Sequence, residues 1–126
     1  MKPEFLNVDL EVITRTDPAP LVRALEKKCS VLYAGRYGRH DYLAVFEVSA
    51  VRASPERRLI RFCNLVDSLP FPAVQMWKQA RSRTFDLGFR SGDRGQVLAL
   101  GISPQTLRRI AALDATLATT IYPTNL

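Results

Sequence analysis

Two carboxylates separated by one residue are the first group in this sequence that could do chemistry. Asp9 and Glu11 alternate with apolar residues over 6–12, so on a strand both carboxyl groups would point to one face. Glu47 and Asp86 lie in two other strand-forming segments and could join them. Paired carboxylates can perform acid–base catalysis or bind Mg²⁺ or Ca²⁺. Solvent-facing strand positions commonly hold the same residue types, so these four residues also define an open sheet face, with Arg90 as the expected neutralising partner.

The remaining candidate catalytic groups form no recognisable motif. His40 is the only histidine and stands beside Asp41 in a predicted hairpin turn, which favours a turn role over that of a general base. The six glycines form neither GxGxxG nor a loop ending in GK[ST], so the common phosphate cradles are lacking. The sequence therefore predicts no catalytic residue and no cofactor.

The two cysteines are interpreted as structural. Cys29 and Cys63 are 34 positions apart, without CxxC spacing or a nearby histidine, which argues against a zinc site. Cys63 falls on the apolar stripe of a predicted helix, where a small buried thiol is expected. Cys29 follows Lys27 and Lys28, whose charges would lower its thiol pKa, although a helix C-terminus acts in the opposite direction. We expect no metal site.

The positive charge is concentrated in the middle of the chain. The formal net charge is +6, and residues 51–110 contain eleven basic against four acidic residues. Such a block attracts nucleic acid or an acidic protein surface, although arginines also line the wet faces of ordinary helices. The candidate contact residues are Arg57, Arg58, Arg61, Arg81, Arg83, Arg90 and Arg94.

The predicted elements alternate between strands and capped helices. Periodicity and composition predict strands at 6–12, 30–34, 42–48, 85–89, 97–100 and 117–121, with 97–100 as the hairpin partner of 85–89. A capping side chain followed by a proline predicts helix starts at Asp17-Pro18, Ser54-Pro55 and Ser103-Pro104, and Pro72 restarts a further helix. On the second helix we expect Phe62, Cys63 and Val66 to be buried together and Leu65 to be semi-exposed, and we expect Trp77 to lie in the core.

This order predicts an α+β fold. We expect a two-layer sandwich with a largely antiparallel sheet of about six strands and helices mainly on one face. It would begin as a ferredoxin-like βαββαβ unit and continue with a βαβ extension. Residues 1–126 are expected to form a single domain. The sequence has no apolar segment long enough for a membrane span and no signal-peptide pattern, so a cytoplasmic location is expected.

Three stretches of the sequence form a recognisable combination. They are Asn7-Val8-Asp9-Leu10-Glu11, Trp77 before Phe85-Asp86-Leu87-Gly88, and a last helix from Ser103-Pro104 to Leu113 that leads into Ile121-Tyr122-Pro123. Together they resemble a family of small uncharacterised bacterial α+β domains. The last helix in such domains commonly runs Leu-x-x-Leu-Ala-x-Leu-Gly-Ala, and Asp114 stands here in place of the glycine. The resemblance implies no assigned activity. It does imply a role as a toxin-neutralising partner, which some small bacterial proteins of this kind have.

The expected function is therefore a non-catalytic protein-interaction module that binds a protein partner or forms a homodimer. An arginine-mediated nucleic-acid-binding protein is the alternative, since a basic block also attracts phosphates. An enzyme dependent on a metal or on the carboxylates of Asp9, Glu11, Glu47 and Asp86 is the third hypothesis.

Overall fold

The computed structural model describes residues 2–48, 53–93 and 95–124. In chain order the elements are β1 (Glu4–Thr14), α1 (Ala19–Leu25), β2 (Ser30–Tyr37), β3 (Asp41–Glu47), α2 (Pro55–Asp67), α3 (Ala73–Gln79), β4 (Ser82–Arg90), α4 (Pro104–Ala112) and β5 (Thr116–Tyr122).

The described strands form a single sheet in the order β2-β3-β1-β4-β5. Strand β1 lies at its centre and pairs antiparallel with β3 on one side and with β4 on the other. The β2–β3 hairpin is antiparallel as well, whereas β4 and β5 are parallel and joined through α4. The predicted α+β class with a largely antiparallel sheet is confirmed.

The helices all pack against the same face of this sheet. Val8, Leu10 and Val12 of β1 are fully buried because their side chains alternate toward the helix layer. Each helix contributes buried residues to the core around these valines and leucine, including Leu21, Phe62, Trp77 and Ile110. The residues of opposite parity on the strands therefore form a second face, which no described helix covers.

The serine–proline helix starts are confirmed. The Ser54 hydroxyl accepts a hydrogen bond from the Arg57 backbone N–H at 3.1 Å, and Ser103 does the same for Thr106 at 3.3 Å. Helix α1 begins one residue later than its sequence pattern indicates, with Pro18 as the N-cap residue, while the Asp17 carboxylate accepts from the Ala19 backbone N–H.

The predicted packing of α2 is also confirmed. Phe62 and Cys63 are fully buried, Val66 is nearly so, and Leu65 is half-buried. The Phe62 ring lies 5.6 Å from the ring of Phe85 on β4, which fixes α2 above the centre of the sheet.

The strand predicted at 97–100 is wrong, whereas the one predicted at 117–121 is confirmed as β5. Residues 97–100 are exposed and have no regular secondary structure. Both edges of β4 are occupied, by β1 and by β5, so no position remains beside it for the expected hairpin partner. The chain instead crosses from β4 through α4 to the parallel strand β5, and the described sheet has five strands rather than about six.

Candidate functional site

A row of three carboxylates crosses the uncovered sheet face, which we call the open sheet face. Asp9 on the central strand is the register partner of Glu47 on β3 and also of Asp86 on β4. Directly paired strand residues lie side by side, with neighbouring strands 4.7–4.9 Å apart, so the three carboxylates span about 10 Å. We call Glu47, Asp9 and Asp86 the acidic row. Glu11 lies two residues further along β1 on the same face, as its spacing predicts.

Two polar side chains orient the acidic row. The Asn7 amide nitrogen donates to Asp9 Oδ1 and to Glu47 Oε2, both at 3.0 Å, and so ties two of the carboxylates together. The Thr120 hydroxyl on β5 donates to the Asp86 carboxylate at 2.9 Å. Each member of the row thus has a hydrogen-bond donor that fixes its orientation but carries no positive charge.

Gly88 makes room for this arrangement. It pairs with Asn7 across β1 and β4, and a Cβ atom at position 88 would lie 2.6 Å from Asn7 Oδ1. Any other residue would push the Asn7 amide away from Asp9 and Glu47. The glycine thus permits the close approach of the Asn7 side chain, and it does so in an ordinary backbone conformation.

The acidic row is electrostatically strained. The pKa of the Asp9 carboxyl is raised to about 6, first by burial and then by repulsion from Glu47, Glu11 and Asp86, in that order of importance. The pKa of Glu11 is also raised, first by burial and then by Asp86. Asp9 is therefore charged at neutral pH and loses its charge under mildly acidic conditions.

Aromatic and aliphatic side chains border the acidic row. Ile13, Leu43 and Val45 continue the open sheet face beyond Glu11 and are half-buried. The tyrosines at the two sheet edges are about half exposed on this face, and they are Tyr33 and Tyr37 on β2 and Tyr122 on β5. Tyrosine combines a large apolar ring with a polar tip and is enriched in protein interfaces.

The remaining candidate catalytic groups lie apart from the acidic row. His40 is exposed in the β2–β3 turn and precedes Asp41, six residues along β3 from Glu47, which corresponds to about 20 Å. Within 2–48, 53–93 and 95–124, no three His, Cys, Asp or Glu side chains converge as metal ligands would. The row is a line of charges across strands, and its members do not surround a common point.

Both thiols are buried. Burial raises the pKa of Cys29 to about 11, so Lys27 and Lys28 do not lower it as their proximity in sequence had indicated. Burial also raises the pKa of Cys63, with a smaller lowering effect from Arg109. Neither thiol is activated as a nucleophile.

Three of the candidate contact arginines serve the fold itself. Arg83 is 8% exposed and donates to the carbonyl oxygens of Trp77, Ala80 and Asp114 and to the Asp114 carboxylate, at 2.7 to 3.1 Å. Asp114 adopts a left-handed φ of 57°, where glycine is commonest, and its carboxylate accepts a hydrogen bond from Arg83.

Arg81 and Arg90 are engaged in ion pairs. Arg81 Nε lies 2.5 Å from Asp41 Oδ1 at the start of β3. Arg90 pairs with Glu4 on the neighbouring strand and not with the acidic row, which corrects its expected role. The row therefore has no ion pair with this arginine.

The other candidate arginines belong to α2 or lie outside the described residues. The Arg58 guanidinium stacks 5.2 Å above the Phe5 ring, and Arg57 and Arg61 lie one helical turn apart on the exposed side of α2. Arg94 is outside the residues that the structure describes. The described candidates lie on α2, in the helix-facing core and at the ends of β4.

Asn7, Gly88 and Thr120 are site residues that the sequence analysis missed. Asn7 shares its strand parity with Asp9 and Glu11, and that signal was present in the pattern. Thr120 could not have been found, because it reaches Asp86 only through the parallel pairing of β4 with β5.

The chain matches no protein-family model, no curated protein and no solved structure. Among the described residues, no helix has the length and apolar character needed to cross a membrane.

Proposed function

We propose that this chain is a non-catalytic protein-interaction module that binds a basic protein surface with its open sheet face. The observation that carries the proposal is the acidic row, in which Glu47, Asp9 and Asp86 stand side by side on three adjacent strands.

Like charges placed directly opposite each other on neighbouring strands destabilise a sheet. The fold does not need these charges, because uncharged polar residues at the same positions would face solvent equally well. Lysine or arginine side chains of a partner would turn the repulsion into attraction, since each can donate charge-assisted hydrogen bonds to the carboxylates. Asn7 and Thr120 hold the carboxylates in place before binding, which reduces the entropy lost when a partner docks.

The surroundings of the acidic row favour a protein partner. The open sheet face is broad, and its tyrosine and aliphatic borders can pack against apolar side chains. A negative centre with an apolar margin fits a basic protein surface with apolar residues around it. The same negative centre repels phosphate groups, which makes this face unsuited to nucleic acid.

Two finer points form part of the proposal. The strand order β2-β3-β1-β4 supports a ferredoxin-like unit extended by β5, and its open face is the interaction surface. A toxin-neutralising role in the cytoplasm, which the family resemblance implies, is consistent with an acidic face that would mask the basic surface of a toxin.

The test is affinity capture from the native cell with a variant that neutralises the row. The Asp9→Asn/Glu47→Gln/Asp86→Asn chain removes three negative charges while keeping side-chain shape. The matched control, Glu26→Gln/Asp67→Asn/Asp93→Asn, removes three charges outside the open sheet face. All three proteins are used with and without nuclease treatment, and retained proteins are identified by mass spectrometry.

We expect the wild type and the control to retain the same basic protein, and the row variant to lose it. Binding of that purified protein should weaken as the ionic strength rises and as the pH falls below 6. Equal retention by the row variant, or retention of an acidic protein, would overturn the proposal. Nuclease-sensitive retention that depends on Arg57 and Arg61 would instead establish the nucleic-acid alternative.

A further inference from the structure

The outer edge of β5 is unprotected. This strand reads Thr-Leu-Ala-Thr-Thr-Ile-Tyr over 116–122, without a charged residue, a glycine or a proline. No described strand pairs with this edge, and Ile121 is 65% exposed. Proteins normally protect an edge strand with charges, prolines or bulges, because its unpaired N–H and C=O groups invite another strand.

The opposite edge of the sheet has such protection. Strand β2 contains an irregularity between Val31 and Tyr33, and it carries Gly35 and the charged Arg36 in its second half. The two edges of one sheet therefore differ in their fitness for pairing, and β5 is the edge suited to accept a strand.

Helix α4 extends the uncharged surface beside β5. Ile110 points into the core, and Arg109 reaches Asp67 of α2 at 2.7 Å, which defines the side of α4 that faces α2. At 100° per residue, Leu107 and Ala111 lie on the side away from α2, toward the outer edge of the sheet. Both are exposed, Leu107 by 43%, so this side of α4 presents two apolar residues.

We infer that two copies of this chain form a symmetric dimer in which their β5 strands pair antiparallel and their α4 helices pack through Leu107 and Ala111. The strand that pairs with β5 belongs to a second copy of the chain, because two uncharged β5 edges can pair with each other in antiparallel orientation. A two-fold axis through Thr119 is the register in which all seven residues of each strand lie opposite one another. It places Leu117 opposite Ile121 of the second copy and Ala118 opposite Thr120, so no charged side chains meet in the strand pair.

The spacing of the helices fits this arrangement. Adjacent strands lie 4.7–4.9 Å apart, and a crossover helix packs above the two parallel strands that it joins. Two α4 helices that each lie midway above their own β4 and β5 would be about 10 Å apart across the axis, a distance at which helices pack against each other.

The dimer would leave the acidic row accessible. A two-fold axis perpendicular to the sheet keeps both helix layers on one side and both open sheet faces on the other. The acidic row itself lies on β1, β3 and β4, and the one β5 residue that contacts it, Thr120, is left unchanged in the tests below.

Light scattering after size-exclusion chromatography of the full chain tests the inference. The wild type should have twice the 14.2 kDa mass of one chain over a dilution series. Thr119→Lys places two ammonium groups together at the axis and should give a monomer, as should Thr119→Glu. A mixture of these two variants should restore the dimer, because the charges at the axis are then opposite. Leu32→Lys changes an exposed apolar residue on β2, at the opposite edge of the sheet, and should remain dimeric.

Leu107→Lys provides a second route, since it leaves β5 unchanged and alters an exposed helix position, and it too should give a monomer. A monomeric wild type overturns the inference. A dimer that persists in both Thr119→Lys and Leu107→Lys also overturns it, since the interface then lies elsewhere. If the Thr119 variants lose their fold, the Leu107→Lys result decides. A monomeric variant that still captures the basic protein would separate the dimer from the proposed function.

Discussion

Replacing Asp9 by asparagine should stabilise this protein at neutral pH, although the substitution removes a charged residue that accepts a hydrogen bond. The asparagine side chain keeps an oxygen that can accept from the Asn7 amide. It carries no charge, so the cost of burying a carboxylate and the repulsion from Glu47, Glu11 and Asp86 both disappear. The proposed function requires this result, because it holds that the acidic row is retained at a cost to the fold.

The magnitude follows from the pKa of Asp9. Its rise from the ordinary value of 3.8 to about 6 would correspond to about 3 kcal/mol without solvent screening. The carboxyl is only half-buried, so screening by water reduces the effect, and we expect about 1 kcal/mol. Because the folded pKa exceeds the unfolded one, the stabilising contribution of the protonated carboxyl is present below about pH 4 and is lost as the pH rises through 6.

Urea denaturation between pH 4 and pH 8 measures this difference. The Asp9→Asn protein should be about 1 kcal/mol more stable than the wild type at pH 7.5, and the difference should disappear near pH 4. Glu26→Gln, at an exposed carboxylate outside the acidic row, should change stability by less than about 0.5 kcal/mol at either pH. A destabilised Asp9→Asn protein at pH 7.5, or a difference independent of pH, would refute the reasoning that the row is strained.

Two further substitutions test the supporting structure. Phe62→Ala should lower the free energy of unfolding by about 3 to 5 kcal/mol, because the ring is fully buried against Phe85. In the same urea titration, Val97→Ala should have almost no effect. A small loss of stability for Phe62→Ala would show that the α2 packing is wrong. Arg83→Met should lower the free energy of unfolding by about 2 to 4 kcal/mol, since three backbone carbonyls lose their hydrogen-bond donor. Arg57→Met, on the exposed side of α2, should leave the stability nearly unchanged. Equal losses for the two variants would contradict a structural role for Arg83.

The sequence contained enough local information for most elements. The serine–proline starts of α2 and α4 depend on contacts within a single helical turn, so they can be predicted without knowledge of the rest of the fold. The alternation on β1 likewise placed Asp9 and Glu11 on one face.

The missing strand at 97–100 shows where local information ends. Residues 97–100 have a strand-like composition, but a strand forms only where a sheet edge is available, and β1 and β5 occupy both edges of β4. The acidic row likewise depends on contacts between segments that are distant in the sequence. The sequence could group its carboxylates on a face, but their lateral contact depends on strand order and register, which long-range pairing determines.

Arg83 was interpreted as a contact residue, although its place in the β4 alternation indicated a side chain that faces the core. It has the same strand parity as Phe85 and Leu87, which places it on the core-facing side of β4. The contact arginines were chosen for their charge alone, without regard to the strand face that each one occupies. The carbonyl groups that bind its guanidinium come from α3 and from the turn after α4, and no local pattern indicates that they meet there.

The most direct test of the central claim is chemical-shift mapping of the labelled protein as the captured basic partner is added. The largest changes should fall on the open sheet face, with the side-chain amide of Asn7 and the residues beside Asp9, Glu47 and Asp86 shifting together. Changes confined to α2 around Arg57 and Arg61, with the Asn7 amide unmoved, would contradict binding through the acidic row.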